Sequence, residues 1–163
     1  MTFDPNDFKR AMAQFASGVT VVTTKHGDTP IGITASSFTS LSLNPPLVLV
    51  SLDKKLFTHN VIAESGGFAV NVLSARQWEL GMRFAGLKPE IKDRFAGLKT
   101  TTAALGNPIF PESLAWVDCK VWNMYDGGDH TIFVGEVKDL SVSDADVPLL
   151  YHNRLWRRSE ALE

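Results

Sequence analysis

GITASSFTSLSLNPPLVLVSL, residues 32–52, decides the fold class. Together with Ile31, its first half alternates Thr, Ser, Ile and Phe and reads as a strand running from Ile31 to Leu43. Its second half, LVLVSL, is a short apolar run of strand length. Asn44-Pro45-Pro46 punctuates the two, because proline cannot donate to a central ladder. Two strands joined by a turn, with no helical period anywhere, set an all-β reading. Thr34, Ala35, Ser36 and Ser37 are small in succession. Such a strand forfeits the packing area that supplies most of a core's stabilisation. What it gains is close approach of backbone N–H groups and hydroxyls to a flat polar ring. A hydroxyl-rich edge strand is the competing account.

Working outward, further β-rich runs follow the same grammar: VTVVTT, FAVNVL, LAWVDCKVWNMY and HTIFVGEVKDLSV. Turn signals separate several of them: His26-Gly27-Asp28, Ser65-Gly66-Gly67 and Asp126-Gly127-Gly128. Three helices interrupt. DPNDFKRAMAQFASG has Asp4 as cap, Pro5 in the first turn, Phe8, Met12 and Phe15 at helical spacing, and Gly18 just past its end. LFTHNVIAES is short, and SARQWELGMRFAG opens with Ser74 and Gln77 at capping-box spacing. Many short strands with few helices predict a mainly β barrel with peripheral helices. KPEIKDRFAGLKTT reads as an irregular loop or short helical segment over it.

Composition bounds the function. With 163 residues, 44% hydrophobic and 21% charged, one domain spanning 1–163 is expected. A net charge of −2 argues against a nucleic-acid footprint. No basic run reads as a membrane patch, and no apolar run is long enough to span a bilayer. Cys119 is a lone cysteine, and the N-terminus lacks a signal-peptide pattern, so a reducing cytoplasm is the expectation. G-x-G-x-x-G, Walker A, H-E-x-x-H and G-x-S-x-G are all missing. His26, His59, His130 and His152 show no metal-ligand spacing, so no metal is expected.

Three other places look chemically purposeful. SLDKKLFTHN (51–60) joins a strand end, Lys54-Lys55, the Thr58 hydroxyl and a helix start, a combination suited to a phosphate. A solvated lysine turn is the plain alternative. RFAGLKPEIKDRF (83–95) interleaves basic residues with Phe84 and Phe95, as a surface loop or as a lid over a cofactor. Finally, GGDHTIFVGEV (127–137) sets His130 on a strand directly after two glycines, near in character to the aromatic and basic cluster Tyr151, His152, Arg154, Trp156, Arg157 and Arg158. Together these suit an anionic, planar ligand. Taken singly, a lone strand histidine and a basic tail are more often structural or solvated.

The stretches FKRAMAQFASGVTVVTT, GITASSFTSLSLNPPLVLVSL, FAVNVLSARQ, GDHTIFVGEV and PLLYHNRLWRR occur in the order found in the short-chain flavin reductases, and from about Phe8 to Arg158 the chain resembles that family. The family includes the reductase components of two-component flavin-dependent monooxygenases. The resemblance implies an FMN-binding split β-barrel, usually a homodimer, that binds FMN or FAD and uses NADH or NADPH. By the same resemblance, Thr34, Ala35, Ser36 and Ser37 would line the isoalloxazine ring. Ser51, Leu52, Asp53, Lys54 and Thr58 would surround the ribityl chain and phosphate, with Asn71 near the ring or ribityl chain. Lys92, Arg94 and Phe95 would close over the flavin, and His130, with Tyr151 beside it, would position the nicotinamide nucleotide. The implied activity is hydride transfer from reduced nicotinamide to flavin, with diffusible reduced flavin passed to a separate oxygenase, in aromatic catabolism. Two alternatives stay open: a reductase of the same fold that retains its flavin and reduces another acceptor such as a corrinoid, and a non-catalytic flavin- or haem-binding module.

Overall fold

The structure is a computed structural model that describes residues 3–144 and 146–162. The chain opens with helix α1 (Pro5–Ala13), then runs through strands β1 (Ser17–Gly18), β2 (Thr20–His26), β3 (Thr29–Ala35), β4 (Phe38–Leu43) and β5 (Pro46–Asp53). Helix α2 (Phe57–Ser65) precedes β6 (Gly67–Val72), and a 3-10 turn (Ala75–Gln77) leads into α3 (Trp78–Phe84). After a long loop come β7 (Thr101–Thr102), β8 (Pro108–Ile109), the long strands β9 (Ala115–Gly127) and β10 (His130–Val142), and a last hairpin of β11 (Leu149–His152) and β12 (Leu155–Arg158).

Seven strands form one antiparallel sheet in the order β3-β2-β6-β9-β10-β5-β4. Its two outermost strands, β3 and β4, are joined by Ser36 and Ser37 alone. Two residues in extended chain hold those edges within roughly 10 Å of one another. Laid flat, six strand intervals of about 4.8 Å would separate them by roughly 29 Å. The sheet must therefore curl round on itself. β3 and β4 are not hydrogen-bonded to each other, so the barrel is split, with Ser36-Ser37 at the seam. The expected single strand from Ile31 to Leu43 is thus two strands that belong to opposite edges of the sheet.

The barrel interior is filled from alternate positions of the strands: Val22, Val48, Val50, Leu52, Phe68, Val70 and Phe133, closed at one side by Ile62 of α2. A second apolar cluster of Val19, Val21, Leu73, Phe84, Phe110 and Leu149 lies on the other face of β2. β2 is consequently buried on both faces from Thr20 to Thr24, and its threonines find partners. The Thr20 hydroxyl donates to the Ala35 carbonyl at 2.8 Å and that of Thr24 to the Gly67 carbonyl at 2.9 Å, as buried hydroxyls require.

The helix signals are confirmed in detail. The Asp4 carboxylate accepts from the Asn6 N–H at 2.8 Å, with Pro5 starting α1. Gly66 caps α2 at φ 71°, a left-handed conformation that glycine adopts without a Cβ penalty. Ser74 and Gln77 make both halves of a capping box. Gly18, expected to follow the end of α1, instead lies in β1, and Gln14 is the capping residue. α1 buries no residue: Phe8 and Met12 are each more than half exposed, as is Phe15 just past the helix. The helix is held by its end, where the Asn153 N–H donates to the Ala13 carbonyl at 2.8 Å.

Candidate functional site

Under the 88–98 loop lies a cavity of about 410 Å³, walled by Thr29–Ile33 of β3, by Leu56, Phe57 and Thr58, and by Lys92–Phe95. α2 enters this wall by its N-terminus. Its cap residue is Leu56, which has no acceptor, so no side chain satisfies the first-turn N–H groups. Thr58, in the same turn, is buried. Amide donors without a side-chain cap, the positive end of the helix dipole, the Thr58 hydroxyl and the Lys92 and Arg94 cations, with the Asp93 carboxylate beside them, make an anion site suited to phosphate. The loop is fixed from within. Arg83 Nη2 donates to the Asp93 and Ala96 carbonyls at 3.0 and 2.6 Å, and Arg94 Nη1 donates to the Phe84 carbonyl at 3.0 Å. Phe95 stacks on Phe110 at 5.8 Å and meets Phe84 edge-on at 4.9 Å.

β3 runs from this cavity to the seam. Ser36 and Ser37 are exposed there, and the Ser37 hydroxyl donates to the Ser51 carbonyl at 2.6 Å. Thr34 and Ala35 contribute backbone at most. The Thr34 hydroxyl donates to the Gly81 carbonyl at 2.7 Å, and Ala35 is buried in the barrel core. Ser36 also lines a second cavity of about 410 Å³, between α1 and the β11–β12 hairpin, together with Phe15, Lys9, Tyr151 and Arg154. That hairpin turns on Asn153 and Arg154, both at positive φ (50° and 62°), the geometry of a primed two-residue turn.

The β9–β10 hairpin carries His130. It pairs with Asp53 of β5 and stands on the same face as Ile132 and Ser51. Its Nδ1 lies 2.7 Å from the Asp129 carboxylate, and its side chain is 42% exposed, which leaves Nε2 free for a ligand. Lys54 is committed elsewhere. Its ammonium binds the Asp126 carboxylate and donates to the Gly128 carbonyl at 2.6 Å, clamping the turn before His130. The Lys54 hydrogen bond and charge hold the Asp126 carboxyl below its ordinary value, and His130 does the same for Asp129. Groups depressed in this way stabilise the hairpin above the unfolded carboxylate pKa of about 3.9, and that contribution is lost as pH falls through their lower folded values. Amide protection at the 127–129 turn should therefore fall in acid below about pH 4. Lys54→Met should lower it at neutral pH. Hydrogen exchange read residue by residue checks both, and a Lys54→Met turn as protected as wild type would show the clamp to be idle.

Sequence reasoning missed His59, which no local pattern singles out. Its Nε2 lies 2.8 Å from the Thr131 hydroxyl and its ring meets Phe133 edge-on at 5.1 Å, tying α2 to the strand of His130. Two of the expected flavin neighbours have their side chains in the core. Leu52 is buried inside the barrel. Asn71 is fully buried with its amide engaged: Nδ2 donates to the Val21 carbonyl and the Thr23 hydroxyl at 3.1 Å each, and Oδ1 accepts from the Phe110 N–H at 2.9 Å. Tyr151 sits with Ser17, Ser36 and Trp156, in a different cluster from His130, Asp53 and Asp129.

A profile of the flavin reductase like domain matches residues 12–159. The chain belongs to that family. It is 42% identical over 151 residues to the reductase subunit HsaB of a flavin-dependent monooxygenase from Mycobacterium tuberculosis, covering 91% of this chain and 79% of that protein. Among solved structures it is similar to the flavin reductase PheA2 in its native state, at 37% identity and a TM-score of 0.90 over 98% of this chain and all of that one. It is also similar to the NADH:FAD oxidoreductase SgcE6 of Streptomyces globisporus C-1027 in complex with NAD and FAD fragments, at 35% identity and a TM-score of 0.88, covering 98% and 97% of the two chains.

For a flavin reductase like chain the remaining chemistry is sparse. Burial pushes the Cys119 thiol up to about 12, so it is inert as a nucleophile. Among the described residues, no group of three or more His, Cys, Asp or Glu side chains stands ready to hold a metal ion, and no helix is long and apolar enough to cross a membrane.

Proposed function

We propose that this protein is an NAD(P)H:flavin oxidoreductase that transfers a hydride from reduced nicotinamide to FMN or FAD and supplies the reduced flavin to a separate oxygenase component. One observation carries the reading: β3 joins an anion cavity at an uncapped helix N-terminus to an exposed hydroxyl seam. That arrangement suits a ligand with a phosphate at one end and a flat polar ring at the other. When bound, the flavin supplies the hydride-accepting ring and the nicotinamide supplies the hydride. The chain's own work is positional. Thr58, Lys92, Arg94 and the first turn of α2 bind the phosphate. Ser36, Ser37 and the backbone of Thr34–Ala35 meet the ring edge, with Ser51 and Asp53 beside the ribityl chain. Phe95 excludes water above it, and His130 orients the second nucleotide through Nε2.

Loss of reduced-nicotinamide absorbance in the presence of excess free flavin tests this. Turnover that scales with added flavin supports it. Flavin that co-elutes through gel filtration with little free-flavin turnover favours a retained-flavin reductase, and absence of oxidation with either nicotinamide and either flavin favours a binding module. The partnership with an oxygenase rests on the same reading. Dihydroflavin reaching an oxygenase across a dialysis membrane would support diffusive transfer.

A homodimer belongs to this proposal. Phe8 and Met12 of α1, Phe15 just beyond it, and Leu41 and Leu43 of the edge strand β4 are all more than half exposed, Leu43 almost completely. An apolar helix stripe and an apolar open edge are liabilities in a lone chain, and a two-fold copy is the commonest way to cover them. Sedimentation velocity at micromolar concentration should give twice the chain mass, and Leu43→Lys should shift the species toward the monomer. A wild-type monomer at that concentration would end the proposal.

A further inference from the structure

His59 and Thr58 are neighbours in the first turn of α2, and on a helix successive side chains diverge by about 100°. Thr58 lines the anion cavity, whereas His59 reaches β10. On β10 the residues alternate: His130 leaves the sheet on one face, and Thr131 and Phe133 on the other, where both are buried. His59 meets this inner pair, with Nε2 2.8 Å from the Thr131 hydroxyl and its ring edge-on to Phe133 at 5.1 Å. The bond thus joins the sequence neighbours of Thr58 and His130. We infer that His59 is a positioning residue that orders the phosphate-binding turn and the nicotinamide-orienting strand as one unit. The inference rests on the reading of Thr58 as a phosphate ligand and of His130 as a nicotinamide ligand.

The bond is specified from both of its ends. The Asn60 side-chain oxygen lies 3.0 Å from Nδ1 and can only accept, so the neutral ring keeps its proton at Nδ1 and Nε2 accepts from the Thr131 hydroxyl. Thr131 is buried, and a buried hydroxyl without a partner is costly. The backbone completes a closed circuit. The His59 N–H donates to the Leu56 carbonyl and the Leu56 N–H to the Asp53 carbonyl, each at 3.1 Å, and Asp53 pairs with His130 across the ladder. The Lys54 N–H adds a tie to the Asp129 carbonyl at 3.0 Å. From Asp53 through Leu56, His59 and Thr131 to His130, the segment entering α2 is therefore fastened to the hairpin at both ends. Without the imidazole it is fastened at one. The first-turn N–H groups and His130 would then reach their bound geometry separately, and each ligand would have to impose an order that the circuit now supplies beforehand.

The test compares wild type with His59→Leu, Thr131→Val, the double variant of these two, His59→Gln and Thr58→Glu, each checked by thermal melt. FMN affinity is read by quenching of flavin fluorescence. Reduction of the FMN-saturated protein is followed by stopped flow with saturating NADH or NADPH, whichever wild type oxidises. His59→Leu should weaken FMN by about three- to ten-fold and slow flavin reduction by a similar factor, the size of one neutral hydrogen bond. Thr131→Val should match it, and the double variant should be no worse than either single one, because both remove the same bond. His59→Gln places an amide near the position of Nε2 and should restore both quantities. A folded His59→Leu with wild-type FMN affinity or wild-type reduction overturns the inference, as does a double variant with additive losses or a glutamine variant that restores neither quantity. Should His59→Leu not fold, Thr131→Val and His59→Gln decide by the same readouts. If Thr58→Glu leaves FMN bound as before, the phosphate reading itself falls and takes the inference with it; Thr58→Glu that loses FMN beside an unaffected His59→Leu sinks the inference alone.

Discussion

Replacing Gly32 by valine should abolish flavin binding and lower the melting temperature together. Gly32 is buried on β3 and lines the cavity under the 88–98 loop. A Cβ there would stand 2.7 and 2.9 Å from two ring carbons of Phe84 and 3.3 Å from the tip of Phe95. Phe84 is fully buried and is wedged between Phe95 and Phe110, at 4.9 and 5.4 Å, so it has no room to retreat. Overpacking of this kind costs about 1–3 kcal/mol, which for a chain of this size is a drop of roughly 2–12 °C. The compliant partner is Phe95, and Phe95 is the cavity's other wall. Whatever relieves the clash narrows the flavin site, and affinity should fall by about a hundred-fold or more, close to 2.7 kcal/mol. Gly32→Ala should lie between. A circular-dichroism melt beside a flavin-fluorescence titration reads both effects. A valine variant that melts and binds like wild type would mean that the cavity is not where flavin sits.

The same region shows what a sequence can and cannot disclose. Pro45-Pro46, Gly66 and Gly127-Gly128 mark turns that local chemistry enforces, and the strands between them were legible. The break at Ser36-Ser37 was not. It contains neither glycine nor proline, and it exists because β3 and β4 must leave opposite edges of one curled sheet, which is a property of the whole fold. The β11–β12 hairpin was hidden for a related reason. Its turn has Asn153 in the first left-handed position but Arg154 in the second, where glycine would have announced it.

Among site residues, those whose polar groups are engaged within the protein share a cause. Asn71 in FAVNVL reads as a polar intruder with a ligand to meet. Its actual partners are backbone and hydroxyl groups 50, 48 and 39 residues away, so the amide is spent on joining β2 to the segment that carries Phe110. Lys54 beside a helix start reads as a phosphate ligand, yet Asp126 and Gly128 claim its ammonium from 72 and 74 residues away. Local pattern identifies which side chains are unusual. Which group satisfies them is fixed by long-range pairing. Thr58, Lys92, Arg94 and Phe95 do converge on one cavity, because their signals concern a helix start and a loop that must cover it, and both are local.

His130→Ala should leave flavin affinity almost unaltered while slowing the delivery of hydride. The imidazole follows a turn clamped by Lys54, is paired with Asp53 across the ladder, and is oriented by Asp129 at Nδ1. Held on three sides, it presents Nε2 outward as a fixed hydrogen-bonding group. Removing it takes away one positioning contact to the nicotinamide nucleotide and none to the flavin phosphate. The apparent KM for reduced nicotinamide should rise, and the rate of flavin reduction should fall because a misplaced donor loses its near-attack geometry. One hydrogen bond, neutral or charge-assisted, is worth about 0.5–3 kcal/mol, so the combined loss in kcat/KM should be roughly three-fold to a hundred-fold. The melting temperature should hardly move, since an exposed His–Asp pair contributes little to stability. Asp129→Asn keeps a partner for Nδ1 and should show a smaller kinetic loss of the same kind. A purely structural histidine predicts the reverse pattern: an earlier melt and equal loss of both ligands. Stopped-flow reduction of the flavin-loaded variants, run beside the melts, separates the two, and wild-type reduction kinetics in folded His130→Ala would remove this histidine from the site.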